Sequence, residues 1–294
     1  MATGTGRPAV PLGGDLMVPP GTDLVVSADD GARLSVTIAG PPPGDGPAPV
    51  VLAHCWTGSR AVWAPVARRL VAAGHRVVLY DQRGHGTSSV GAEPISIDRL
   101  GDDLASVIDQ LDLRDAVLAG HSLGGMSVMA CACRHPVLMK ERARGLVLVA
   151  TAAHGLSGRG RDRFWRMVLW RDGVNRLLGH PRLGRLCVRG TFGHRPAKAH
   201  VEVTRALFVA TSPGVRRDCA VAVGEMDLRA PLRLVETPAV VVLGRRDRLI
   251  VNHLTRAIVD HTPGARLIEL AHAGHMLPLE RPDELTATIG ELGS

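Results

Sequence analysis

The 294-residue chain is short of lysine and of aromatic side chains. Of 35 basic residues only Lys140 and Lys198 are lysines, and one Tyr, three Phe and four Trp make up 3% of the sequence. The formal charge of +7 is therefore carried by scattered arginines, with no stretch of five consecutive basic residues. A nucleic-acid partner, which needs concentrated positive charge and bases stacked on aromatics, is not expected. Long apolar runs are missing as well. None approaches the roughly 18–20 residues that a bilayer-spanning helix requires. The five cysteines (Cys55, Cys131, Cys133, Cys187, Cys219) are odd in number and contain no CxxC pair, which argues against a disulfide framework and against a zinc site. No metal is expected. The start of the chain, MATGTGRPAVPLGGDLMVPPG, has Gly and Pro where a signal peptide needs an apolar core. Residues 1–20 therefore read as a flexible leader and the protein as cytoplasmic. No period of 20–50 residues recurs, so a solenoid or propeller is excluded.

What is present is an ordinary globular balance, 45% hydrophobic and 21% charged, in a length that suits one large α/β domain with an insertion. Two alternating segments around Val25 and Leu34 predict an antiparallel hairpin, followed by a Pro/Gly-rich loop at 40–49. Short continuous apolar runs at 50–53, 76–80, 116–119, 146–150, 239–243 and about 266–270 predict buried strands. Helical patterns at 61–73, 98–111, 124–135, 252–260 and 282–292 lie between or after them, an alternation that predicts a mostly parallel sheet with helices on both faces. From 151 to 233 no strand signal occurs. This Arg-rich stretch reads as a helical cap inserted into a core made of 21–150 and 234–294.

The strand AVLAG runs straight into Gly120-His121-Ser122-Leu123-Gly124-Gly125, with an apolar helical pattern directly after it. GxSxG is a weak pattern alone, but between a strand and a helix it places Ser122 on a sharp, strained turn, with the amides and positive dipole end of the helix behind it. A Gly-rich turn that merely joins two elements is the competing reading. Two later segments weigh against it. Asp247 falls just after the strand at 239–243, where residues facing the ligand gather in open α/β sheets, and His275 follows Gly274 on a loop after the last strand. Ser, Asp and His then stand in the chain order of an elbow-type triad. Ser122 would be the nucleophile, His275 the base and Asp247 the group that orients it. His272 is the alternative base, with His275 favoured because Gly274 permits close approach. Oxyanion donors are expected at the backbone N–H of Leu123, after the nucleophile, and of Trp56, in the loop after the strand at 50–53. Cys55, Trp165 and Met276 are candidate pocket residues.

Five segments together resemble the α/β-hydrolase family: HCWTGS (54–59), DQRGHGTSS (81–89), GHSLGG (120–125), PAVVVLGRRD (238–247) and HAGHMLPLERPDEL (272–285). The resemblance spans about residues 49–292 and is similar in layout to capped esterases and related small-molecule hydrolases. It implies an eight-stranded sheet with the cap inserted after the sixth strand. It also implies acyl transfer rather than alkyl displacement, since Ser occupies the position where epoxide hydrolases and haloalkane dehalogenases of this fold carry Asp. Asp81 and Arg83 are then implied to fix loops through charge-assisted hydrogen bonds. One departure is that the family usually has His-Gly where this chain has His54-Cys55.

In the cap, Phe164, Trp165, Val168 and Leu169 recur at helical spacing, with Arg161, Arg163, Arg166 and Arg171 on other faces. A pocket roof is the favoured reading. Plain packing onto the core, or a basic surface resting on anionic lipid, are the others. The combined expectation is a cofactor-independent enzyme that hydrolyses carboxylic esters of small to medium apolar acyl groups. Carbon–carbon bond hydrolysis, monoacylglycerol-type lipid hydrolysis and a hydrolase-fold receptor are the alternatives, because fold and triad do not decide among them. The expected partner is a small-molecule ester; the oligomeric state is left open.

Overall fold

The computed structural model describes residues 13–44, 46–155 and 177–294. The expectations for Phe164, Trp165, Val168, Leu169 and the arginines beside them lie outside the described residues.

Eight strands form one sheet in the order β1-β2-β4-β3-β5-β6-β7-β8. The predicted hairpin is β1 (Gly21–Ser27) and β2 (Arg33–Ala39), paired antiparallel from Gly21↔Ala39 to Ser27↔Arg33. β2 also runs antiparallel to β4 (Val77–Tyr80). The remaining strands β3 (Val50–Ala53), β5 (Ala116–His121), β6 (Ala143–Val149), β7 (Ala239–Gly244) and β8 (Arg266–Leu270) pair in parallel with their neighbours. β6 departs from the predicted limits of 146–150. It starts earlier, at Ala143, and stops at Val149 because Ala150 turns the chain with φ 46°.

The central strands are apolar throughout because helices cover both faces. Alternate residues divide the core in two. Val51, Leu118 and Leu148 face the side packed by α2 (Ile97–Gln110) and α3 (Leu123–Arg134), while Val50, Val117 and Val147 face α1 (Ala64–Ala72) and the last helix, Pro282–Gly293. The helix predicted at 61–73 begins instead as a 3-10 turn, Arg60–Trp63, and Pro65 then sits in the first turn of α1, where its missing N–H costs no intrahelical bond. Between β6 and β7 the chain forms helices at Pro181–Arg189, Lys198–Ala210, Pro213–Glu225 and Arg229–Leu232. No helix among the described residues is long and apolar enough to cross a membrane.

Part of the stretch read as a flexible leader, residues 13–20, is described. Gly14–Leu16 form a 3-10 turn, and Leu16, only 3% exposed, packs in a cluster with Cys55 and Val62, so its burial ties down residues read as free chain.

The DQRGHGTSS turn after β4 is a polar knot. Asp81 accepts from the backbone N–H groups of Arg60 (2.9 Å) and Thr87 (3.0 Å). Arg83 is fully buried, donating to Asp30 at 2.8 Å and to Asp103 at 2.6 Å. The hydrogen bond from Arg83 holds the Asp30 carboxyl at about 2 rather than 3.8. A depressed carboxylate stabilises the fold above its unfolded pKa, and that contribution is lost as pH falls from about 4 toward 2. Asp30→Asn should therefore lower the urea midpoint at neutral pH and flatten its decline through this acid window. An unaltered acid-unfolding curve would show that the knot does not carry this charge.

Candidate active site

β5 is buried along its whole length and delivers the chain to Ser122, which adopts φ 55° and ψ −115° before α3 begins at Leu123. Such backbone in a residue with a side chain costs on the order of 1–3 kcal/mol and persists only where its surroundings over-determine it. Here they do. The Ser122 N–H donates to Val149 O at 2.9 Å, and its carbonyl accepts from the Met126 N–H at 3.1 Å and the Thr151 hydroxyl at 2.7 Å. Two glycines make the turn sterically possible. A Cβ on Gly120 would lie 2.3 Å from Gly124 O, and one on Gly124 would lie 2.2 Å from Ala53 O. The helix thus starts in backbone contact with both β5 and the loop after β3. As the first residue of α3, Leu123 presents an amide that has no intrahelical acceptor.

The loop after β3 carries His54, Cys55 and Trp56. The Gly58 N–H donates to Cys55 O at 3.0 Å, and the positive φ of the turn falls on Thr57, at 58°, and not on Cys55. The Cys at the family's usual Gly position therefore meets no left-handed strain. Buried His54 accepts from the Gln82 N–H through Nε2 at 2.9 Å and bonds Cys55 O through Nδ1 at 2.7 Å, so the proton is assigned to Nδ1. Burial pushes this imidazole down to about 4. Gln82 also donates to His54 O (2.5 Å) and accepts from the Ser127 hydroxyl (2.6 Å), tying the loop to α3. The Trp56 ring meets Phe208 of helix Lys198–Ala210 edge-on, with centroids 6.2 Å apart.

After β7, Asp247 is fixed by three hydrogen bonds. Oδ1 accepts from the N–H groups of Leu249 (2.8 Å) and Ile250 (2.9 Å), and Oδ2 lies 2.8 Å from Nδ1 of His275. Both side chains are buried, at 9% and 5% residue exposure. The carbonyl of His275 is 2.8 Å from Nε2 of His121, the residue before Ser122, and the two rings are 5.0 Å apart. Burial first, and then the neighbouring His275, hold His121 well below the usual imidazole range. It serves as a neutral strut. His272, the alternative base, is exposed with φ 63°, and its ring is 6.4 Å from that of His194. The histidine paired with Asp247 is thus His275.

Cys55 and Met276 are buried in one apolar cluster with Val188, Phe192 and Leu207 from the segment between β6 and β7. Trp165 lies outside the described residues. No group of three or more His, Cys, Asp or Glu converges as metal ligands would, among the described residues. Sequence reasoning passed over Gln82, Ser127 and Thr151, whose partners lie far away in the chain. It also passed over Glu280, which bonds Gly193 and Gly274. Forcing a methyl group into a close-packed site typically costs about 1–3 kcal/mol. Gly124→Ala should therefore destabilise the protein by at least that amount in chemical denaturation. A variant as stable as the parent would mean that the elbow is looser than its contacts indicate.

Comparison with known proteins gives the family. Residues 48–282 match the family described as alpha/beta hydrolase fold. The chain is 26% identical to the non-heme chloroperoxidase CPO-A1 of Kitasatospora aureofaciens, over 80% of this chain and 88% of that protein. It is also 26% identical to the pimeloyl-[acyl-carrier protein] methyl ester esterase of Xanthomonas oryzae pv. oryzae, over 84% and 94%. Among solved structures, a hydrolase from Pseudomonas aeruginosa PA01 superposes with a TM-score of 0.77 at 28% identity, covering 92% of this chain and 98% of that one. With most of its length matched, residues 48–282 of 294, the chain belongs to the alpha/beta hydrolase family.

Proposed function

We propose that the protein is a serine hydrolase of carboxylic esters with small to medium apolar acyl groups. The observation that carries this reading is the pairing of His275 with Asp247 at 2.8 Å, held by His121 against the elbow that bears Ser122. Ser122 is a weak nucleophile at its own pKa and needs a base within reach. In this reading His275 takes the Ser122 hydroxyl proton as the oxygen attacks the ester carbonyl, then returns it to the departing alcohol. Asp247 fixes the Nδ1–H tautomer and stabilises the imidazolium that forms. An acyl-enzyme results, and water activated by the same histidine hydrolyses it. The developing oxyanion is assigned to the backbone N–H groups of Leu123 and Trp56, one from the start of the helix and one from the loop after β3. No cofactor enters the scheme.

The apolar cluster of Cys55, Met276 and Phe192 supports a pocket for a hydrocarbon acyl chain. Within the segment between β6 and β7, helix Lys198–Ala210 is proposed as part of its roof, because it sets Phe208 against the Trp56 ring. The similarity to a methyl ester esterase agrees with the ester reading, while the similarity to a chloroperoxidase shows that family membership alone does not select the reaction.

Ser122→Ala should lower kcat on chromogenic esters by about 10⁴–10⁶-fold and abolish labelling by a fluorophosphonate. A panel of esters of increasing acyl length should show kcat/KM rising and then falling as the pocket fills. Hydrolysis retained by the alanine variant would overturn the nucleophile, and an intact enzyme inert to every ester would overturn the substrate class.

A further inference from the structure

Outside the three residues just assigned, one carboxylate ties together two stretches of chain that the reaction needs to keep in register. Glu280 ends the short helix Leu277–Glu280, which follows His275. Its Oε2 accepts from the N–H of Gly193 at 2.8 Å, and both of its oxygens accept from the N–H of Gly274, at 3.0 and 3.1 Å. Gly274 immediately precedes His275. Gly193 belongs to the segment between β6 and β7, whose neighbouring Phe192 is part of the apolar cluster.

The contact continues on both sides of the carboxylate. The backbone N–H of His275 donates to Thr191 O at 2.8 Å, and Arg246, next to Asp247, reaches Gly193 O through Nη1 at 3.2 Å. The two loops touch backbone to backbone. A Cβ on Gly193 would lie 2.4 Å from Gly274 N and from Ala273 C, and a Cβ on Gly274 would lie 2.4 Å from Gly193 N. Neither Gly193 nor Gly274 has room for a side chain of its own at this contact, so the mutual orientation of the loops depends on the hydrogen bonds that cross it. The N–H groups at 193 and 274 would otherwise be poorly satisfied in a part-buried seam, and a charged acceptor holds amides more strongly than a neutral one.

We infer that Glu280 is a positioning residue for the reaction: by clamping Gly193 to Gly274 it sets the imidazole of His275 relative to Ser122 and seats the cap segment and the histidine loop as one unit. This rests on the reading of His275 as the base. Glu280 itself contacts no reacting atom. Its effect passes through the peptide that carries the histidine, where a misplacement of about 1 Å can cost about 10²-fold in rate.

The test compares Glu280→Ala, Glu280→Gln and Gly193→Ala with the parent, reading kcat and KM on the best chromogenic ester, thermal melting, and the most downfield proton NMR resonance. That resonance is assigned to the His275 Nδ1–H by its loss in His275→Ala. Glu280→Ala should lower kcat by about 10²-fold with KM within about threefold, and should shift or broaden the imidazole resonance. Glu280→Gln retains an acceptor oxygen and should keep kcat within about tenfold of the parent, with the resonance in place. Gly193→Ala, acting from the other side of the seam, should reproduce the alanine phenotype. If Glu280→Ala does not fold, the glutamine and glycine variants carry the same comparison. Unchanged kcat and resonance in Glu280→Ala or Gly193→Ala would overturn the proposal, as would a rise in KM with kcat held, which would place the effect on substrate binding. Should the parent hydrolyse no ester, the hydrolase reading fails separately, and the resonance still decides whether Glu280 sets His275.

Discussion

The backbone at Ser122 is the constraint from which the rest of the site follows. A residue with a side chain is driven into positive φ so that its hydroxyl stands off the end of a buried strand, and the fold must hold it there against the pull of ordinary helical or extended geometry. The holding groups come from several elements: Val149 ends β6, Thr151 lies just beyond it, and Ala53 ends β3. These strands are neighbours because a parallel sheet brings their carboxyl ends to one edge. The elbow is therefore secured by the sheet and not by its own six residues. The absence of side chains at Gly120 and Gly124 allows the strand, the helix and the loop after β3 to meet at backbone distance.

Around that turn the polar groups divide by environment. His54 and His121 are fully buried, and desolvation keeps both rings neutral, so they act as fixed hydrogen-bonding struts. His54 braces the loop that bears Trp56, and His121 braces the carbonyl of His275. His275 differs in having a carboxylate partner. Asp247 in turn cannot rotate away, because its other oxygen is occupied by two backbone N–H groups. Three imidazoles in one neighbourhood thus have separate duties, decided by what faces each ring. Gln82 and Ser127 extend the bracing by joining the loop after β3 to α3. These two elements carry the two amides proposed as oxyanion donors.

Much of this was legible in the chain. Continuous apolar runs of strand length, separated by helical patterns, fixed a parallel sheet, since only strands buried on both faces can afford to be apolar throughout. The order Ser122, Asp247, His275, each just after a strand, was readable because residues at strand ends are brought to one edge whatever the detailed packing. Limits were less legible. Ala150 ends β6 through a positive φ that no propensity encodes, and Leu16 is anchored by contacts with distant residues rather than by its Pro/Gly-rich neighbours. The positive φ of the loop after β3 falls on Thr57 and spares Cys55, which a pattern comparison at that position could not reveal.

The sequence by itself determined the architecture and the residue types at the site, because periodicity and strand-end placement are local properties of the chain. Tertiary structure decided which histidine meets Asp247. His272 and His275 share a loop, but only His275 is buried beside Asp247, while His272 points outward with φ 63°. It also decided that Glu280 would reach Gly193, 87 residues away, and join it to Gly274. Hydrogen bonds at that separation arise from the way packed layers close on one another, and no local pattern carries them.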